Sequence, residues 1–269
     1  MEKNGTLVGN LACLVAYGIF GFNIISCKNI ALDGNITPMA LFCLRSFGAT
    51  VLFWIWSMFT APREQIEKKD IWKVAVASFL GLFMTQLSFL FAITKTTAID
   101  ASIMCTMSPI MTLVISAIVI KERITWSGIL GMLVNNLCFA SYVGIFKPLI
   151  QKYSVVTFMK WMFLFSSLMA LPFSFGAFKA SNLGAVSMAV VWQVLFVVVA
   201  ATFIAYFLIP IGQKRLRPVV VCMYTYVQPV IAMIIALAMG LDTLNALKVA
   251  ATVLVFTGVG LVNFVPKRK

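Results

Sequence analysis

Apolar residues run in blocks of about twenty, broken by short polar turns. The blocks fall at 6–27, 39–60, 71–93, 101–120, 153–172, 187–211, 219–240 and 246–265. A helix rising 1.5 Å per residue needs about twenty apolar residues to cross about 30 Å of hydrocarbon. Each block therefore predicts one membrane-spanning helix, and the short connections predict antiparallel neighbours. Ile124 to Phe146 is apolar too, but it has room for only about one span.

The layout repeats. Ser88–Thr125 contains the end of one span, a polar turn, a span with Pro109 near its middle, and a charged exit at Lys121, Glu122 and Arg123. Leu208–Asn245 has the same order, with Pro229 placed 120 positions after Pro109. Identity between the copies is low, so only the layout recurs. Two copies of a unit that cannot bury itself alone are the mark of an internal repeat, and many secondary transporters are built this way.

Basic residues give the orientation. With Lys3 inside, the second connection is inside and carries Arg63, Lys68 and Lys69; the turn at Lys121 to Arg123 is inside as well. Connections between these hold Lys28 and Lys95 alone. In the second half, Lys147 and Lys152, the set Lys214, Arg215 and Arg217, and terminal Lys267, Arg268 and Lys269 alternate with turns bearing only Lys179 and Lys248. Both halves put their positive charge inside only if 124–146 makes an even number of crossings. The expectation is two half-helices, Trp126–Val134 and Leu137–Phe146, joined by a turn at Asn135 and Asn136, residues that tolerate turn geometry.

Composition agrees with a membrane protein. The chain is 62% hydrophobic and 11% charged, with mean hydropathy +1.01, where a soluble domain is about 25% charged. Its net charge of +13 sits at span ends, which favours lipid and topology over nucleic acid as its cause. The first block is too long for a signal-peptide core, so it is expected to be retained as a span. Six cysteines lie scattered through apolar runs without metal-ligand spacing. There is no histidine, and all eight acids lie in loops, at span ends or at the terminus. General acid–base and metal chemistry thus have few carriers. Neither an enzyme nor a bound cofactor or metal is expected, and no nucleotide-binding loop is present.

Several motifs together resemble the drug/metabolite transporter superfamily, specifically permeases with paired EamA domains. Phe20 to Lys28 is similar to the run closing that family's first helix, and Phe139 to Lys147 is similar to the matching run of its second repeat. Leu44-Arg45 resembles a family pair in the second helix. The resemblance implies an all-α integral membrane protein of two inverted five-helix repeats around a cavity. Here it has eight full spans plus a shortened fifth and sixth helix region at 124–146, as if about 25–30 residues were deleted relative to the family. The repeats would divide at 1–134 and 135–269. The resemblance implies a secondary transporter, working as an exporter of small metabolites such as amino acids by alternating access. It would sit in a bacterial cytoplasmic (inner) membrane with both termini cytoplasmic, bind a small-molecule metabolite, and leave room for a homodimer. The alternative is a membrane protein that the deletion has left unable to transport.

Polar residues inside spans are the candidates for a substrate cavity. Arg45 lies about seven residues into its span, where a charge costs about 2.5–3.5 kcal/mol. It could face a cavity and attract an anionic group, or reach backbone carbonyls or the interface. Lys160 is expected to extend its ammonium toward the interface. Asn23, Gln86, Gln193 and Gln228 could line a cavity or bond a neighbouring helix. Gln228-Pro229 and Ser108-Pro109 are equivalent pairs, and the two prolines are candidate hinges or simple bends. Tyr206, Tyr224 and Tyr226 could wall a pocket with their rings or simply pack within the membrane. Trp54, Trp56, Trp72 and Trp126 near span ends read as interfacial anchors.

Overall fold

The computed structural model describes residues 2–60, 64–97, 126–216, 220–221 and 224–240. Those residues are helical, with short turns and no strand among them. Expected spans 101–120 and 246–265, together with Ser108 and Pro109, lie outside the described residues.

The helices are α1 (Glu2–Asp33), α2 (Pro38–Thr60), α3 (Lys68–Ile93), α4 (Trp126–Ile145), α5 (Lys147–Lys152), α6 (Val155–Lys179), α7 (Met188–Arg215) and α8 (Val227–Ala238). Five of them, α1, α2, α3, α6 and α7, are long and apolar enough to cross a membrane. Residues at chain turns explain the boundaries. Gly34 takes φ +75° and stops α1, a conformation open to glycine. Thr37 accepts from the Ala40 N–H and Pro38 follows at the first helical position, which together start α2. Ser154 caps α6 and Ser187 caps α7 in the same way.

Both α3 and α7 widen to π-helix in mid-course, at Phe79–Met84 and Val199–Ile204, 120 positions apart. Near each stretch a threonine hydroxyl bonds the carbonyl five residues back: Thr85 to Leu80 at 2.6 Å and Thr202 to Val197 at 2.7 Å. The hydroxyl takes up a carbonyl in the loosened turn, so the irregularity leaves no bare acceptor there.

Contacts fix helix directions. Gly9 of α1 lies against Arg215 and Leu216 at the end of α7, while Lys28 reaches the carbonyls of Ile93 and Thr96 beyond α3. One end of the bundle, here the charged end, therefore holds the start of α1 and the end of α7. The far end holds the end of α1 and the end of α3. Ties close both ends. At the charged end Ser154 N–H donates to Glu64 and the Tyr153 hydroxyl donates to Asp70. At the far end Asn182 N–H donates to the Asn35 carbonyl and Thr37 N–H to Ser181. Shifted by the 120-residue offset, each tie joins the same pair of connections as the other.

The region 124–146 differs from expectation. It is not two half-helices around Asn135-Asn136: α4 is one helix of 20 residues. It runs antiparallel to α3, with Gly131 against Ser88 and Ala92, and Gly81 against the Tyr142 ring. The physical reason is lipid, which leaves a bare turn unpaired, whereas a helix satisfies its own backbone. Asn135, the expected turn residue, instead donates its side-chain amide to the Thr85 carbonyl at 2.6 Å. The chain thus leaves α3 and enters α4 at the same far end, with 98–125 outside the described residues. One unbroken helix here still brings Lys147, Lys152 and Lys214 to the end that holds Lys69 and Lys73.

Candidate functional site

A cavity of about 90 Å³ lies among α1, α2, α3, α4, α7 and α8. Tyr17, Phe20, Asn23 and Ile24 come from α1, Arg45 from α2, and Thr85, Gln86 and Phe89 from α3. Asn135, Asn136 and Phe139 come from α4, Tyr206 from α7, and Thr225 and Gln228 from the turn and helix at α8. Five residues marked in the sequence, Asn23, Arg45, Gln86, Tyr206 and Gln228, share this cavity. Gln86 and Tyr206 are separated by 120 positions and each follows closely on a π stretch.

Arg45 is 2% exposed. Its Nε donates to the Thr202 hydroxyl at 2.9 Å, and that hydroxyl is itself anchored to Val197. The widened turn of α7 thus orients the guanidinium of α2. The other guanidinium nitrogens form no hydrogen bond or ion pair among the described residues. Asn23 accepts from the Cys27 thiol at 3.5 Å. Gln86 is 3% exposed, and its amide lies beside the Tyr206 hydroxyl without a well-formed hydrogen bond. One hydroxyl cannot satisfy both ends of a buried amide, so Gln86 keeps hydrogen-bonding capacity toward the cavity.

Rings fill the space beside the cavity. Tyr17, Phe20, Tyr206, Phe163 and Phe53 form a continuous chain with centroid separations of 5.8, 5.5, 5.6 and 5.3 Å. Tyr142 packs in the same cluster as Phe53 and Phe163. Beyond lies the charged end, where Lys152 bridges Glu67 at 2.7 Å and Asp70 at 2.6 Å, and Lys147 donates to the Leu216 carbonyl at 2.6 Å. The Lys214 ammonium donates to the Tyr153 carbonyl.

Other sequence candidates fall elsewhere. Tyr224 packs with Cys13, Tyr17 and Leu216 and does not line the cavity. Pro229 is buried in the first turn of α8, after a 3-10 turn at Tyr224–Tyr226, where its missing N–H breaks no bond. Gln193 lies away from the cavity with its Oε1 unpartnered among the described residues. The Lys160 ammonium stands 5.3 Å over the Trp54 ring. Sequence reasoning missed Thr85, Thr202, Asn136 and Thr225. Only the Asn135-Asn136 pair carried a signal, polar residues in an apolar run, and it was read as a turn.

The EamA-like transporter family pattern matches twice, over residues 7–135 and 126–264. The chain belongs to that family. The two EamA matches overlap at 126–135, the first half of α4. An uncharacterized transporter, YetK, of Bacillus subtilis (strain 168) is 25% identical over 207 residues. That match covers 64% of this chain and 61% of YetK, so the EamA chain spans less than two thirds of that relative. A solved crystal structure shares the fold at TM-score 0.66 and 15% identity, covering 98% of this chain and 99% of the other. Family and apolar helices together make this an integral membrane protein.

Proposed function

We propose that the chain is a secondary transporter, working as an exporter of small metabolites such as amino acids, by alternating access of two inverted repeats. The observation that carries it is the cavity, in which polar side chains from both halves meet inside an apolar bundle: Arg45 and Gln86 from the first, Tyr206 and Gln228 from the second. Opposed directions of α3 and α7, with π stretches 120 positions apart, support the inverted relation. The repeats divide within α4, near 134 and 135. The charged end faces the cytoplasm, by the excess of lysine and arginine gathered there. With no acid inside any apolar run, the transporter works by uniport or exchange and not by a carboxylate proton relay. Counterflow of radiolabelled metabolites in proteoliposomes tests this: saturable, protein-dependent flux is expected for one class of solute, and absence of flux across a broad panel overturns it.

A second reading, a family member that no longer transports, is favoured by one observation. Residues 126–135 are claimed by both family matches yet form part of a single helix. DNA sequence around the codons for Val134–Leu137 separates the two, since an intact coding insert there restores the usual repeat length.

A further inference from the structure

We infer that the cavity selects small solutes that present a carboxylate and rejects solutes whose only charge is positive; this rests on the transporter reading of the cavity. Arg45 is a charge at 2% exposure whose fork is aimed by Thr202 on one edge and left open on the other. All eight acids of the chain lie outside the apolar runs, so no residue within a span can supply the counter-charge. A buried, unpaired guanidinium is strongly unfavourable unless something neutralises it. A guanidinium edge with two free N–H groups matches the two oxygens of a carboxylate, which makes that group the fitting counter-ion.

Gln86 gives a second contact. Its amide offers one donor pair and one acceptor in the same cavity, more than the neighbouring Tyr206 hydroxyl can satisfy. It can hold a neutral polar group on the solute. An ammonium would meet only neutral acceptors there, such as the Gln86 and Asn23 oxygens, beside the repelling charge of Arg45. Amines without a carboxylate are excluded by charge.

The test is equilibrium binding to the full chain in nanodiscs, followed by tryptophan fluorescence and calorimetry. Probes are propionate, butyrate and benzoate, each with its carboxamide and the matching amine, together with methyl phosphate. Carboxylates are expected to bind at least about tenfold more tightly than amides, with amines not binding. Arg45→Gln abolishes the preference and Arg45→Lys retains part of it. Thr202→Val keeps the charge but frees its fork, and weakens carboxylate binding about tenfold without changing amide binding; this variant serves if Arg45→Gln fails to fold. The proposal is overturned if amides or amines bind as well as carboxylates. It also falls if methyl phosphate binds more tightly than every carboxylate, if no carboxylate binds below about 10 mM, or if Arg45→Gln folds and keeps the preference. Carboxylate binding without flux leaves the anion site standing and removes the transporter reading. Flux of neutral solutes without carboxylate binding does the reverse.

Discussion

The Ser46 and Ser166 hydroxyls meet at 3.2 Å, and the two residues stand 120 positions apart in the chain. They lie where α2 crosses α6, at the repeat offset itself, and Thr50 and Ser167 add a second hydroxyl pair at 2.7 Å. Small polar side chains let the helices approach closely where lipid gives no hydrophobic drive between them. Ser46→Ala should therefore cost only about 0.6 kcal/mol, the mean for such a bond in a membrane. Ser46→Leu should cost about 1–3 kcal/mol through overpacking. Thermal melts in detergent read both, and equal losses for the two variants would show that closeness of approach is not what the serines provide.

Gly48 makes a comparable contact with α7. A Cβ there would fall 2.5 Å from Val198 Cγ1. Gly48→Ala is expected to lose about 1–3 kcal/mol, and Val198→Ala in the same chain to recover most of it. Losses that simply add in the double variant would place the strain elsewhere.

Helix α4 as one crossing has a topological consequence. A cysteine at Lys152 should label from one side of the membrane, and cysteines at Ser127 and Ser181 from the other. A membrane-impermeant maleimide on cells and on opened vesicles decides this. Label reaching positions 127 and 152 from the same side would restore the two half-helices.

The charged end should weaken in acid. Lys152 and Lys69 hold the Glu67 carboxyl below its ordinary value of 4.5. Burial pushes Glu64 up, but hydrogen bonds with Ser154 and Thr157 and the nearby Lys214 charge bring it below the ordinary value on balance. A carboxyl whose folded pKa is lowered contributes stability above its unfolded pKa of about 4.3, and loses it as pH falls through the folded value. Melting temperature should fall as pH drops below about 4.5, and the Glu64→Gln/Glu67→Gln double variant should show a shallower slope. Identical slopes would assign the acid sensitivity to other groups.

Much of the architecture could be read from one dimension. Runs of about twenty apolar residues specify spans because lipid admits only a backbone that bonds itself. The 120-residue offset, visible in two prolines, returns in the π stretches of α3 and α7 and in the Ser46–Ser166 pair. Lys69, Lys147, Lys152 and Lys214 share one end as their placement suggests, but the even number of crossings that charge parity asked of 124–146 is not found, and the turn at 121–123 lies outside the described residues. Residues 124–146 were misread because a one-dimensional count weighs charge parity and the turn preference of asparagine, while the partner of Asn135 is a carbonyl 50 positions away.

The sequence by itself determined that the chain lives in lipid, that its spans are helices, that its layout recurs, and that Arg45 has no acid in any span to answer it. These follow from local composition and from the cost of burying polar groups, which act wherever the residue finally lies. Only the tertiary structure decided that Asn23, Arg45, Gln86, Tyr206 and Gln228 share one cavity, that Thr202 orients the guanidinium, and that α4 is unbroken. Those outcomes depend on which helix faces meet, and side-chain partners far apart in sequence are chosen by packing rather than by their neighbours along the chain.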